Sequence, residues 1–291
     1  MKWMTTTCAP GKVRAVNALP FLFIPPDVSP TPLIVVVPHA GVRMSRAEQA
    51  RCPVPDPVRL SDTDLQAERL VDRAPLLGAS LLVVTSSRYV CDVDQATDTL
   101  DPRVCPELGT RTLGGAPQAA RPGSLPRGLI WRETTRGVPC LDGTLSLTDV
   151  RERVSRIHGA FHDKLTAVIA STIAKSGRAL VFDLRTVPGV GRPTDVDAGR
   201  GRAAAAIGGT QASASAVATT KQVLGGHGID LGRGVTPDGA IATTVAAAGA
   251  DYLRLELSRR LYLHEEVPFW NGAPALELQR VCRELISALS R

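Results

Sequence analysis

Four short apolar runs constrain the fold of this chain more than any other feature of its sequence. They lie at residues 33–38, 80–85, 179–183 and 252–257, and the last, YLRLEL, also carries an arginine and a glutamate. Runs of this length, rich in Val, Ile and Leu, are typical of strands buried on both faces of a parallel sheet. The sequence therefore predicts four central strands.

Helical patterns separate these runs. Apolar residues recur at three- and four-residue steps over 149–175, with Gly177 just past the end. We also predict a closing helix over 275–289 and a helix over 62–77 that opens with acidic residues. Strands alternating with helices predict an α/β fold with a mostly parallel or mixed central sheet and helices on both faces.

The 291 residues suit one large domain over residues 32–291, preceded by a Pro- and Thr-rich tail or strap at 1–31. Residues 199–250 are rich in Gly, Ala, Ser and Thr, which indicates a long insertion or a mobile loop. The sequence leaves the oligomeric state open.

Composition excludes several classes of partner. The net charge is +6, but no run of five or more like charges occurs, so we expect no nucleic-acid partner. No stretch of 18 apolar residues is present, so we expect no membrane partner. Six widely spaced cysteines without a CxxC pair predict reduced thiols in a cytoplasmic protein.

Ionisable residues stand at or near the end of every predicted strand. They are His39 after the first strand, Arg88 and Asp92 after the second, Asp183 and Arg185 at the third, and Glu256 in the fourth. Ligands of open parallel sheets bind at the carboxyl ends of the strands. The sequence therefore predicts a site at this edge.

Five short motifs carry a resemblance to a known family. They are PHAG (38–41), SDTD (61–64), SRYVCD (87–92), FDLRT (182–186) and LELS (255–258), followed by Tyr262. In this order they resemble the N-formylglutamate amidohydrolase family over residues 32–291. The resemblance implies a fold like that of the zinc carboxypeptidases. It also implies a reaction, the hydrolysis of the formyl amide of N-formyl-glutamate to formate and glutamate.

The resemblance also implies roles for single residues. His39 and Asp64 match zinc ligands, with Asp62 as the alternative carboxylate, and Glu256 matches the base that takes a proton from the attacking water. The residue chemistry alone leaves other readings open. His39 could cap a loop, the two aspartates could favour a helix N-terminus, and Glu256 could pair with Arg254.

The sequence departs from the family pattern at Arg185, where the family has its second zinc-binding histidine. Arginine stays protonated and has no lone pair to donate, so the zinc site is incomplete. We expect Arg185 to lie where the metal charge would be and to pair with Asp64 and Glu256. His227, in a Gly-rich segment, is the best substitute ligand, whereas we expect His158 and His162 to flank a packing face.

A second departure is Asp94-Gln95, where the family has an Asn-Arg pair that resembles a substrate-carboxylate grip. Gln95 offers one neutral hydrogen bond and Asp94 would repel an anion. Arg88 either binds an anion or pairs with Asp92. We take Arg88, Asp92, Gln95 and Arg185 as candidate substrate-binding residues.

Two hypotheses follow. In the first, the chain is a zinc-dependent amidohydrolase that acts on an N-acyl amino acid or a related linear amide. In the second, it is a catalytically silent relative that binds a small amide or amino-acid-like ligand, or a partner, with Arg185 in place of the metal. Both hypotheses predict the same fold.

Overall fold

The computed structural model describes residues 19–109, 113, 127–208, 212–233, 238–265 and 269–291. Its centre is a mixed seven-stranded sheet in the order β1-β3-β2-β4-β7-β5-β6. The strands are β1 (Phe21–Ile24), β2 (Leu33–Val37), β3 (Ser80–Val84), β4 (Leu180–Val187), β5 (Ala205–Gly208), β6 (Leu231–Arg233) and β7 (Asp251–Ser258).

The four predicted strands are confirmed as the parallel centre of this sheet, β3-β2-β4-β7. Strand β1 pairs antiparallel with β3, and β5 pairs antiparallel with β7. Strand β4 runs to Val187, beyond the predicted end at Asp183. Since the central strands are parallel, their carboxyl ends meet at one edge of the sheet.

Helices cover both faces of the sheet, as predicted. They are α1 (Arg46–Ala50), α2 (Asp56–Ser61), α3 (Leu147–Arg153), α4 (Ala160–Ser176), α5 (Ala214–Gly226), α6 (Ala240–Ala247) and α7 (Gly272–Leu289). One core cluster joins α5 and α7 to one face, and a second joins α4 and α6 to the other. In the described part of the chain, no helix is long and apolar enough to cross a bilayer.

The predicted helix over 149–175 is confirmed, with one irregularity. Helices α3 and α4 run on through a π-helical segment, Val154–Gly159, and the whole helix ends at Gly177 in the left-handed conformation. The predicted closing helix is confirmed as α7. Wide π turns are frequent at functional sites, and this one contains His158.

The predicted helix over 62–77 is wrong. Residue Gln66 has a left-handed backbone (φ 61°), and only short 3-10 turns, Ala67–Leu70 and Pro75–Leu77, follow it. The acidic residues that suggested a helix start bind groups elsewhere in the protein instead. Because these carboxylates accept hydrogen bonds from distant groups, they do not cap a helix here.

The insertion or mobile loop predicted over 199–250 is also wrong for the residues that are described. This stretch contributes β5, α5, β6 and α6 to the sheet and its two faces. Residues 209–211 and 234–237 lie outside the described residues, as do residues 1–18 of the predicted tail or strap. The remainder of that tail includes β1, an edge strand that pairs with β3.

Candidate functional site

The loops that follow β2 and β3 touch backbone to backbone at the carboxyl edge of the sheet. A Cβ at Gly41 would overlap the backbone of Thr85 and Ser86, so this close approach requires glycine. Arg43 and Thr85 share a backbone hydrogen bond of 3.0 Å. This contact sets the imidazole of His39 next to the loop that carries Asp92.

His39 is buried and bonds to a charged carboxylate. Its Nε2 lies 2.9 Å from Oδ1 of Asp92. Burial opposes ionisation of Asp92, but the charges of Arg88 and His39 prevail and lower its pKa well below the ordinary value. An ionised carboxylate only accepts hydrogen bonds, so Nε2 of His39 donates. In a neutral His39, Nδ1 then carries the lone pair.

Asp92 is held by several donors at once. Arg88 donates to its Oδ2 from Nη2 at 2.8 Å and from Nε at 3.1 Å. The indole Nε1 of Trp131 donates to the same oxygen at 3.2 Å, and the guanidinium of Arg88 lies 4.4 Å above the indole ring. The Arg88–Asp92 ion pair considered from the sequence is therefore present.

Of the two candidate carboxylates in SDTD, the structure brings Asp64 to His39. Oδ2 of Asp64 lies 4.0 Å from Nδ1 of His39 and accepts from the backbone N–H of Thr186 at 3.1 Å. Oδ1 of Asp64 accepts from Arg259 at 3.2 Å. Asp62 instead accepts from the Tyr89 hydroxyl at 2.7 Å.

Arg185 forms a closed buried ion cluster. Its guanidinium donates to Asp183 at 2.5 Å and to Asp94 at 2.6 Å, and the Tyr252 hydroxyl also donates to Asp183 at 2.7 Å. Burial opposes the charge of Arg185, but Asp183 and Asp94 raise its pKa well above the ordinary value. Burial also opposes ionisation of Asp94, whose pKa Arg185 nevertheless lowers.

The expected pairing of Arg185 with Asp64 and Glu256 is wrong. Asp183 lies two residues before Arg185 on β4 and therefore shares its face of the sheet, which makes it the nearer partner. Arg259 takes Asp64 instead. Asp94, expected to repel an anion, is neutralised by Arg185.

Glu256 is 4% exposed and lies opposite Arg185 on the neighbouring strand. Its Oε1 is 3.5 Å from Nε of Arg254, so the alternative ion pair is present. The catalytic role of Glu256 stays a prediction.

His158 and His162, on the long helix, form hydrogen bonds with the backbone of the loop after β3. His158 Nε2 lies 2.9 Å from the carbonyl oxygen of Gln95, and His162 Nε2 lies 2.8 Å from that of Val93. Nδ1 of His162 accepts from the Thr244 hydroxyl at 2.7 Å. Burial lowers the pKa of His162 to about 4, so this histidine is neutral at pH 7. These histidines position the loop that carries Asp94.

His227 does not substitute for a missing ligand. Its Nε2 lies 2.8 Å from Glu284 on α7, which directs the ring toward that helix and not toward His39.

A cavity of about 570 Å³ opens at the carboxyl edge of the sheet. Of the predicted site residues, Arg88 and Gln95 line it. His39, Asp64 and Glu256 are buried and do not line it. The structure thus brings His39, Asp64 and Asp92 together, and it places Arg185 in a separate cluster beside them.

Comparison with known proteins identifies the family. The model of the N-formylglutamate amidohydrolase family matches residues 31–263. The chain belongs to this family. The resemblance drawn from its motifs is thereby confirmed.

One curated protein and two solved structures match along most of the chain. An N-formylglutamate deformylase of Pseudomonas aeruginosa is 29% identical over 270 residues, which cover 89% of this chain and 92% of that protein. An N-formylglutamate amidohydrolase of Ralstonia eutropha JMP134 shares the fold, with 23% identity, a TM-score of 0.79, and 93% and 97% of the two chains covered. A protein of Agrobacterium tumefaciens, 15% identical over 94% of this chain and 95% of its own, has a TM-score of 0.66.

The zinc site implied by the family resemblance is not complete in this chain. His39 and Asp64 present two donor atoms 4.0 Å apart, and Asp92 supports the histidine as carboxylates do in metal sites. The third position is Arg185, a cation. Within the described ranges, no group of three His, Cys, Asp or Glu side chains could hold a metal ion. These residues do not fit a resident three-ligand zinc.

Sequence reasoning missed several residues of the site in this family member. Arg259 directly follows β7, so the rule that ligands lie at strand ends would have included it. Trp131 and Arg192 lie in long connections with no motif, and no signal in the sequence indicated them.

Proposed function

We propose that this chain is an amide hydrolase that acts on N-acyl amino acids or related linear amides. The observation that carries the proposal is the match to an N-formylglutamate deformylase over 92% of that protein's length. The cavity at the carboxyl edge supports it, because its volume of about 570 Å³ suits a small molecule. We also propose a cytoplasmic location, since the described cysteines are free thiols.

Hydrolysis requires a base for the attacking water. We assign this role to Glu256, which would take a proton from water as the water oxygen bonds to the amide carbon. Glu256 would return the proton to the nitrogen as the carbon–nitrogen bond breaks. Because Glu256 is paired with Arg254 and does not line the cavity, this role requires that ion pair to open and the Glu256 carboxylate to reach the cavity. His39 and Asp64 would orient the water, and Arg88 would face the substrate.

The second hypothesis, ligand binding without hydrolysis, rests on Arg185, and the family match does not favour it. Arg185 stands at the sequence position where the family has its second zinc-binding histidine, and its guanidinium engages both Asp183 and Asp94. A closed ion cluster offers no electrophile for an amide carbonyl. The chain would then bind an amide or an amino-acid-like ligand in the same cavity.

Formate release from N-formyl-L-glutamate by the purified chain distinguishes the two functions. Release that Glu256→Gln abolishes, and that Glu277→Gln leaves unchanged, supports the hydrolase. Glu277 is a suitable control because it is exposed on α7. Saturable binding of N-formyl-L-glutamate without formate release supports the second candidate.

Metal content completes the test. We expect the purified chain to hold less than stoichiometric zinc. Release that a chelator abolishes and zinc restores would contradict this expectation and establish zinc dependence in spite of Arg185.

A further inference from the structure

Five arginines line the cavity at the carboxyl edge of the sheet: Arg88, Arg127, Arg192, Arg202 and Arg259. Four of them are neutralised by nearby carboxylates. Arg88 pairs with Asp92, Arg127 with Asp195, Arg202 with Asp195 and Asp197, and Arg259 with Asp64. Their charges are balanced inside the protein.

Arg192 differs from these four. Among the described residues, no carboxylate lies within ion-pair distance of its guanidinium, and its Nε is buried without a hydrogen-bond partner. Burial lowers the pKa of Arg192, and the positive charges of Arg136 and Arg259 lower it further. Arginine stays protonated even so, and a buried donor without an acceptor is costly. The position of Arg192 therefore favours an added anion.

The acidic groups of the cavity wall are engaged elsewhere. Asp62 accepts from Tyr89, Asp94 pairs with Arg185, and Asp195 pairs with Arg127 and Arg202. Asp238 also lies on the wall and has interactions of its own. Asp62 and Glu265 raise the pKa of Arg192 less than its cationic neighbours lower it, and neither forms an ion pair with it.

We infer that Arg192 binds a carboxylate group of the ligand that occupies this cavity. The planar guanidinium matches a carboxylate in a two-bond fork, and Gln95 on the same wall offers a neutral hydrogen bond. The backbone N–H of Arg192 donates to Asp195 at 2.9 Å, which fixes the turn that presents its side chain. The inference rests on the proposed function and restricts its substrates to amides that carry a free carboxylate.

Binding of N-acetyl-L-glutamate, measured by calorimetry on the full chain, tests this inference apart from hydrolysis. We expect Arg192→Gln to weaken binding by about 10- to 100-fold, because a charge-assisted fork is lost. Arg192→Lys should retain part of the affinity, since it keeps the charge. Arg280→Gln, which removes an exposed arginine on α7, is the matched control and should bind as the wild type does.

Two further probes identify the ligand group. The diamide of N-acetyl-L-glutamate has no carboxylate and should bind weakly to wild type and to Arg192→Gln alike. Inorganic phosphate should compete poorly. The inference is overturned if Arg192→Gln binds N-acetyl-L-glutamate with unchanged affinity while its thermal unfolding matches wild type. Stronger binding of the diamide or of phosphate, or no binding of N-acetyl-L-glutamate to wild type at millimolar concentration, overturns it as well.

The hydrolase proposal and this inference can fail separately. Arg192-dependent binding without formate release sustains the inference and contradicts the hydrolase. Formate release with an unchanged KM in Arg192→Gln sustains the hydrolase and contradicts the inference.

Discussion

The site consists of two adjacent halves that differ in how their charges are balanced. The His39 half contains His39, Asp64 and Asp92. Asp92 pairs with Arg88 of its own loop, and Asp64 pairs with Arg259, which follows β7. The Arg185 half contains Arg185 with Asp183 and Asp94, which satisfy one another. In the His39 half, Nδ1 of His39 lies 4.0 Å from a carboxylate and is a nitrogen that can donate a lone pair to a ligand, whereas the Arg185 half presents a cation. Histidine can donate a lone pair to a ligand and arginine cannot. The residue type at one position therefore changes what half of the site can bind, while the sheet stays the same.

The largest effect should come from breaking the Arg185 half. Arg185→Met leaves two buried carboxylates without their cation, and we expect it to lower the free energy of unfolding by about 3–5 kcal/mol. Urea unfolding at pH 7 measures this loss. Arg280→Met removes an exposed arginine and should change stability by less than about 0.5 kcal/mol. A loss below about 1 kcal/mol for Arg185→Met would show that this cluster contributes little.

The second-largest effect should come from acid, which should lower the free energy of unfolding through His162. This histidine hydrogen-bonds to the loop that carries Asp94. The pKa of His162 is about 4 in the folded protein and 6.5 ordinarily, so the unfolded chain binds more protons between these values. This contribution, up to about 3 kcal/mol, is fully present above pH 6.5 and is lost as the pH falls toward 4. Unfolding in urea from pH 7 to pH 4.5 measures the slope. It should be smaller in His162→Gln and unchanged in the control His264→Gln.

Arg185→His should convert the Arg185 half into a donor like the His39 half. The variant then offers a third ligand beside His39 and Asp64, and zinc at a hundred times its dissociation constant should stabilise it by about 2.7 kcal/mol. Thermal unfolding with and without zinc measures this, with the wild type expected to show no shift. The double variant His39→Ala, Arg185→His should lose the response. A wild type that zinc stabilises equally would contradict the contrast between the halves.

The smallest effect should come from the His39 half. His39→Ala removes one charge-assisted hydrogen bond from Asp92, which keeps Arg88 and Trp131, so we expect a loss of about 1.5–2.5 kcal/mol. Urea unfolding compares it directly with Arg185→Met. If His39→Ala costs as much as Arg185→Met, the two halves do not differ in the way described.

Much of the fold could be predicted because the four central strands are buried on both faces. Strands of this kind appear in the sequence as nearly continuous apolar runs. The failures have physical causes. Asp62 accepts a hydrogen bond from Tyr89, and Asp64 accepts one from the backbone of Thr186. No local sequence pattern reveals these contacts. Residues 199–250 lack strong apolar periodicity because α5 and α6 each bury only a few residues. These are Ala216, Thr220, Val223 and Leu224 in α5, and Ile241, Ala242 and Val245 in α6.

The sequence predicted where on the sheet the site lies, but not which side chains form ion pairs within it. The strand-end rule located His39, Arg88 and Asp92 correctly. It could not decide which carboxylate Arg185 would take, although the spacing of two along β4 made Asp183 a candidate. Asp94 comes from a loop whose path depends on His158 and His162, and the sequence does not give that path.

The close approach at Gly41 has a consequence for how the site opens. The loops after β2 and β3 are joined by reciprocal backbone hydrogen bonds, from Arg43 to Thr85 and from Ser87 to Arg43, with no side chain between them. Neither loop can move outward without breaking the backbone hydrogen bonds that join it to the other loop. Hydrogen exchange in the two loops should therefore proceed as one cooperative unit, and anything that protects the first should protect the second.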